Sequence, residues 1–179
     1  MAIVEIIKKF VKDVTPPSKE QNAKIEAALK ALEFQINDLV IDVGCGTGFL
    51  FDHLTHKIES IVGIDLSLKN LIKSKERAQK YFNVHLILAD ADNLPLKEKS
   101  FNKIFGLTLL QNMPHPESTL NEFFRVAKDD GVIIVTGLKK IFNLKSFKEF
   151  LSNAKLDFFI LENNENLKCF VAICKKIEF

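Results

Sequence analysis

The chain carries 25 lysines and arginines against 23 aspartates and glutamates over 179 residues, a formal charge of +2, and 47% of its residues are apolar. A chain of this length buries roughly 70% of its unfolded surface, so one compact domain stands without disulfides or a structural metal. The charge is too small to indicate nucleic acid, the apolar runs fall far short of the ~20 residues that span a bilayer, and Cys45, Cys169 and Cys174 include no CxxC pair of a zinc site.

The first predicted element is a short leading helix in which Ile3, Ile6, Ile7 and Phe10 share a stripe. Glu5, Lys8 and Lys9 interrupt it, unlike the centre of a secretory signal, so reduced thiols and a cytoplasmic location are expected. Pro16-Pro17 separates this leader from the rest: residues 1–19 are expected to form a helix and linker available as a lid, and 20–179 the main domain. Ser18 with Gln21 predicts a capping box opening a helix through Phe34, with Ala23, Ala27, Ala28 and Ala31 on its packing side.

From there strands and helices alternate. A strand at Leu39 to Val43 leads through a glycine-rich turn into a helix from Gly48 to Lys57, and Ser60 to Ile64 is the next strand. Ser67 caps a helix reaching Phe82, followed by strands at Val84 to Ala89 and Phe101 to Leu107. Glu117 to Lys128 is predicted helical, Gly131 to Thr136 a strand, and Asn143 to Lys155 an amphipathic helix covering the sheet. Apolar strands alternating with helices imply a parallel sheet covered on both faces. Leu156 to Leu161 and Leu167 to Cys174 are separated by five residues, too few for a parallel crossover, so one terminal strand must run antiparallel.

The chemistry concentrates at the first turn, Val-Ile-Asp-Val-Gly-Cys-Gly-Thr-Gly, with glycines at 44, 46 and 48. Glycine lets the main chain bend sharply and approach a ligand closely, and a helix N-terminus is expected to point at the same spot. Asp65 ends the second strand, where doubly wound folds place a carboxylate for both ribose hydroxyls, so the ligand reads as a nucleoside. A dinucleotide turn would have a third glycine at position 49, which is Phe49 here; this disfavours a nicotinamide cofactor. Asp90 and Asp92 close the third strand, beside where an adenine would extend.

These segments, together with Val-Gly-Ile-Asp-Leu-Ser, Ala-Asp-Ala-Asp-Asn-Leu-Pro-Leu, Ser-Phe-Asn-Lys-Ile-Phe and Leu-Asn-Glu-Phe-Phe-Arg-Val-Ala-Lys-Asp-Asp-Gly, occur in an order that resembles the class I S-adenosylmethionine-dependent methyltransferases from Ser18 to Lys176. The resemblance implies a three-layer Rossmann-like α/β fold with a seven-stranded sheet of order 3-2-1-4-5-7-6, strand 7 antiparallel. It implies that Gly44, Cys45, Gly46 and Gly48 contact the methionine part, Asp65 the ribose, and Asp90 with the Ala91 amide the adenine. Asp42, which would orient the turn or the methionine amino group, and Leu66 and Leu107 complete the implied cofactor set. S-adenosylhomocysteine would be the product. No metal is invoked, because the sulfonium methyl is already activated and its transfer needs alignment and a dry path.

The acceptor side departs from the family's patterns. Leu107 to Leu110 replaces the Asn-Pro-Pro-Tyr of relatives that methylate planar amino groups, Gln111 and Asn112 replace a common histidine pair, and Asn102 replaces an aspartate. Gln111, Asn112 and His115, in the loop after strand four, are the candidates for touching the acceptor, a small molecule or a macromolecule. The competing expectation is a non-catalytic nucleoside-binding regulator of the same fold, for which the apolar run at Leu107 to Leu110 speaks. Val84 to Leu88 is an edge strand in the implied order and carries no lysine or proline, so a protein partner adding a strand there is a further expectation.

Overall fold

The computed structural model describes residues 18–161 and 167–177. The leading helix over Ile3 to Phe10 and its service as a lid lie outside the described residues. The chain runs α1 (Lys19–Lys30), β1 (Leu39–Val43), α2 (Phe51–Leu54), β2 (Ser60–Asp65), α3 (Leu68–Ala78), β3 (Val84–Leu88), β4 (Phe101–Gly106), α4 (Pro116–Val126), β5 (Ala127–Leu138), α5 (Leu144–Asn153), β6 (Leu156–Ile160) and β7 (Cys169–Lys176). A single 3-10 turn, Leu110–Asn112, lies between β4 and α4.

One sheet orders the strands β3-β2-β1-β4-β5-β7-β6. β1 to β5 pair in parallel, whereas β7 is antiparallel to both β5 and β6. This is the implied seven-stranded order, and the reversed terminal strand is the one that the short connector demanded. Successive strand residues point to opposite faces, so the core is double. Ile41, Ile104 and Ile133 pack with Phe123 of α4 and Phe147 of α5. Val40, Phe105 and Ile134 pack with Ile25 of α1, Phe51 of α2 and Leu71 of α3.

Several element ends differ from expectation. The capping box is present, Ser18 and Gln21 exchanging both bonds, but α1 stops at Lys30 instead of Phe34. Beyond it, Asp38 accepts from the Gln35 amide at 2.8 Å and from Lys103 Nζ at 2.6 Å, which ties residues 32–38 into a loop under the sheet. The packing face of α1 is also rotated: Lys24, Ile25 and Ala28 are buried, and Ala31 is exposed. The helix expected from Gly48 to Lys57 shrinks to four residues. Gly48, Phe51 and His53 donate to carbonyls three residues back, which winds 45–53 more tightly than an α-helix.

α3 ends at Ala78, and Tyr81 instead sends its hydroxyl to Asp52 at 2.6 Å. α4 gives way to β5 at Ala127, four residues before the expected strand start at Gly131. Ala127 already pairs with Phe101, and a bulge between Phe101 and Lys103 absorbs the slack. Asn102 accepts from the Leu39 amide and Lys128 Nζ, both at 3.0 Å, so it serves the sheet.

Candidate functional site

The strand order reverses between β1 and β4, and the crevice past the carboxyl ends of these strands is where doubly wound sheets hold ligands. A cavity of about 600 Å³ lies there, a size suited to a small molecule. Its floor is the turn after β1. Gly44, Gly46 and Gly48 have φ of 71°, 56° and 76°, a region that side chains disfavour. A Cβ on Gly46 would meet nothing within 4 Å, so this main chain faces open space. On Gly48 it would strike the Phe51 ring and, at 2.7 Å, Ser74 Oγ. Gly46 therefore leaves room for a ligand, whereas Gly48 leaves room for the helices behind the turn.

Asp65, at the tip of β2, ties the turn down. Its Oδ2 accepts from the Gly46 amide at 2.8 Å, and its Oδ1 accepts from the Ser67 amide at 2.8 Å and Asn70 Nδ2 at 3.4 Å. A carboxylate offers about four acceptor positions, which leaves one for a ligand hydroxyl. Asp42 is different. It is 4% exposed at the end of β1, and among the described residues no donor reaches its carboxylate. Burial, and then the charge of Asp65, push its pKa up to about 7. An ionised Asp42 thus lacks a partner that a cationic ligand would supply.

Of the residues expected to bind the cofactor, Asp42, Gly44, Cys45, Gly46, Asp65, Leu66, Asp90, Ala91 and Leu107 line this cavity, and Gly48 does not. Leu66 is 71% exposed at the rim. Asp90 accepts from the Asp92 amide at 3.0 Å, while Asp92 turns away to accept from the Thr119 hydroxyl at 2.5 Å. Burial drives the Cys45 thiol pKa strongly upward, so it is no nucleophile. Of the acceptor candidates, Asn112 lines the cavity; Gln111 and His115 lie outside its lining. The Gln111 Oε1 is buried without a partner among the described residues.

Sequence reasoning missed several residues that shape the cavity. Arg77 of α3 donates to the Thr47 carbonyl at 2.9 Å and to Asp52 at 2.5 Å, and its guanidinium lies 4.4 Å from the Phe49 ring centroid. It braces the turn from behind. Arg125 and Glu122 of α4 do the same for the loop after β3: Arg125 donates to the Leu94 and Leu96 carbonyls, and Glu122 accepts from the Leu94 amide. Thr108 and Lys24 also line the cavity. Thr108 sits at φ 62°, which for a β-branched residue costs roughly 1–3 kcal/mol. It is held there by Thr136 Oγ1 accepting from its amide at 2.7 Å and by Asn112 Nδ2 donating to its carbonyl at 2.9 Å.

The lining thus brings together open main chain at Gly46, a buried carboxylate without a donor at Asp42 and a free acceptor position on Asp65.

The chain is 30% identical over 122 residues to a malonyl-[acyl-carrier protein] O-methyltransferase of Marinomonas, an alignment covering 67% of this chain and 45% of that enzyme. The chain spans about half the length of the curated relatives it matches. Among solved structures, a SAM-dependent methyltransferase from Aquifex aeolicus superposes with a TM-score of 0.73 at 19% identity, over 84% of this chain and 88% of that one. A Haloferax volcanii methyltransferase solved in complex with a methyltransferase activator gives 0.75 at 14% identity, over 87% and 89%. At these identities the likeness to solved structures is one of fold. Residues 35–173 match the model of the methyltransferase domain, most of the chain, and the protein belongs to that family.

Proposed function

We propose that this chain binds S-adenosylmethionine in the cavity over the glycine turn and transfers its methyl group to an acceptor, leaving S-adenosylhomocysteine. The observation that carries this reading is Asp42, a buried carboxylate without a donor beside the open main chain of Gly46. S-adenosylmethionine supplies a methyl group already activated on a sulfonium, and the protein's task is to hold, align and dry the reactants. In this reading Asp42 balances the ligand's positive charge, and the main chain of Gly44 to Gly46 lies along the methionine part. The remaining acceptor capacity of Asp65 takes a ribose hydroxyl. Leu66 covers one side of the adenine, and Asp90 with the Ala91 amide reads its edge. Leu107 completes the cofactor contacts, and Asn112 faces the acceptor, a small molecule or a macromolecule.

Isothermal titration tests the cofactor, with one equivalent of S-adenosylmethionine or S-adenosylhomocysteine binding and NAD not binding. Tight binding of NAD alone would overturn the reading. Transfer is tested with radiolabelled methyl donor and fractionated cell extract, where label is expected in at least one fraction. A protein that binds both adenosyl ligands and labels none is the non-catalytic regulator.

A protein partner fits the same proposal. β3 is one edge of the sheet, and Phe82 just before it and Leu88 at its end are 96% and 54% exposed. We assign Val84–Leu88 as the place for an added strand. Three unpaired, buried cysteines accord with a reducing, cytoplasmic place of work.

A further inference from the structure

The face of α5 turned away from the sheet differs from an ordinary charged helix surface. Phe147 and Leu151 bury into the core, and Phe142, in the turn before the helix, sets its ring centroid 5.3 Å from that of Phe147 and 5.9 Å from that of Phe150. With the aromatic rings packed inward, the apolar side chains left in solvent are aliphatic: Ile141 is 62% exposed and Leu144 44%. Lys139, Lys140, Lys145 and Lys148 flank them in sequence. Lys139 lies 5.6 Å from the Phe170 ring centroid and Lys145 has Glu149 at 3.9 Å, whereas no carboxylate reaches Lys140 or Lys148 among the described residues. Leu144, Lys145, Lys148, Glu149, Ser152 and Asn153 line one groove of about 520 Å³, so the apolar and basic groups frame a common depression.

This surface begins at the same end of the sheet as the cavity. Thr108 lines the cavity, its amide donates to Thr136 Oγ1 of β5, and β5 ends two residues later at Leu138. The Leu138 carbonyl then accepts from the Ile141 and Phe142 amides, both at 2.9 Å, which fixes the turn that carries Ile141.

Lysines beside exposed aliphatic side chains form the pattern of a surface that lies on lipid: the ammonium groups meet anionic headgroups while the apolar side chains enter the acyl boundary. A nucleic-acid face would instead present aromatic rings to bases and arginine forks to phosphates. Here the rings pack on one another, and residues 139–148 contain no arginine. We infer that the turn 139–143 and the outer face of α5 dock on an anionic lipid surface, with Ile141 and Leu144 inserted and Lys140, Lys145 and Lys148 supplying the charge. Docking of this kind does not depend on which ligand the cavity holds.

The full chain is sedimented with sucrose-loaded vesicles of phosphatidylcholine alone, and of phosphatidylcholine with phosphatidylglycerol in equal parts. Binding is expected to the mixed vesicles only, and to weaken with salt. Lys140→Gln/Lys148→Gln removes two charges that contribute about 5-fold each, an expected loss of about 25-fold. Ile141→Ser/Leu144→Ser is expected to lose about 10-fold or more, which a purely ionic attraction would not show. All four positions are exposed, so melting temperatures should match wild type.

The chain contains no tryptophan, so Ile141→Trp places a single emitter on the patch. Its fluorescence should shift to shorter wavelength on mixed vesicles, whereas that of Phe82→Trp, just before the edge strand β3, should stay unchanged. Wild type that binds neither vesicle, a serine variant that binds as wild type does, or a shift at position 82 without one at 141 overturns the inference. Binding to polyuridylic or polyglutamic acid that the lysine variant loses, without vesicle binding, overturns it in favour of a polymer of that kind.

Discussion

Asp42→Asn removes the charge that the free protein least supports. The rise of the Asp42 pKa from 3.8 to about 7, at about 1.4 kcal/mol per pH unit, makes ionisation in the folded state cost about 4 kcal/mol. The folded pKa lies above the unfolded one, so this group's contribution to stability is complete below about pH 4. It is lost as pH rises through about 7. The asparagine carries no such penalty but leaves its own amide short of partners, which costs about 1–3 kcal/mol. At pH 8.5 the variant is therefore expected to be about 1–3 kcal/mol more stable than wild type. Its melting temperature should rise by about 2–4 °C per kcal/mol in a chain of this size, while at pH 4 the gain disappears.

Ligand binding should move the other way. Wild-type affinity for S-adenosylmethionine is expected to climb with pH through about 7, as Asp42 gives up its proton to meet the cation, and then to level off. In the Asp42→Asn variant the affinity should be lower, by about 10-fold or more at pH 8.5, and flat with pH. Thermal unfolding by circular dichroism and isothermal titration at pH 5, 7 and 8.5 measure both. A variant that is less stable than wild type at pH 8.5 and binds with the same pH dependence would refute the reasoning, since Asp42 would then have a favourable partner in the free protein.

Further substitutions probe the scaffold. Gly46→Ala meets no atom within 4 Å but strains a φ of 56°, so a loss of about 1–2 kcal/mol is expected, whereas Gly48→Ala also drives a methyl into the Phe51 ring and should lose distinctly more; urea melts compare them. Asp38→Ala strands the buried Lys103 ammonium, whose Nζ lies 2.6 Å from the carboxylate, and should cost about 3–5 kcal/mol by the same measurement, with Lys103→Met/Asp38→Leu recovering most of it. Arg77→Lys keeps the charge but not the fork that spans Thr47, Asp52 and Phe49, so S-adenosylhomocysteine should bind several-fold more weakly although residue 77 is absent from the cavity lining; an unchanged dissociation constant would show that the turn needs no brace.

The parts of this site that were legible in the sequence are those where local covalent geometry dictates the residue. A bend with three closely spaced positive-φ positions is written in glycine because other residues strain there. A carboxylate at a strand tip, as at Asp65, is placed by counting along the strand. The antiparallel end of the sheet followed from a connector too short to cross over. The full strand order came only with the family resemblance, because nothing local in β3 or β6 says which edge each occupies.

What stayed hidden depends on long-range partners. Lys24 is one lysine among many, and the alanines at 23, 27 and 31 offered a more conventional packing stripe than one containing a charge. A lysine stem can lie in an apolar groove while its head reaches polar space, so the helix turned to bury Lys24 with Ile25 and Ala28. The spacing of Gln21, Lys24, Ile25 and Ala28, an i, i+3, i+4, i+7 set, was a signal that could have been read. Lysine is ordinarily solvent-facing, which hides a set that contains one. The same holds for Arg77: only the folded chain brings α3 behind the glycine turn, 30 residues away in sequence from the carbonyl it holds. Composition did carry a trace of this. Arginine is scarce here, and both Arg77 and Arg125 are spent on main-chain carbonyls around the cavity, where a rigid planar fork fixes its oxygens in a set geometry that a lysine's rotatable ammonium does not. In a lysine-rich chain, the rare arginines mark where geometry rather than charge is required.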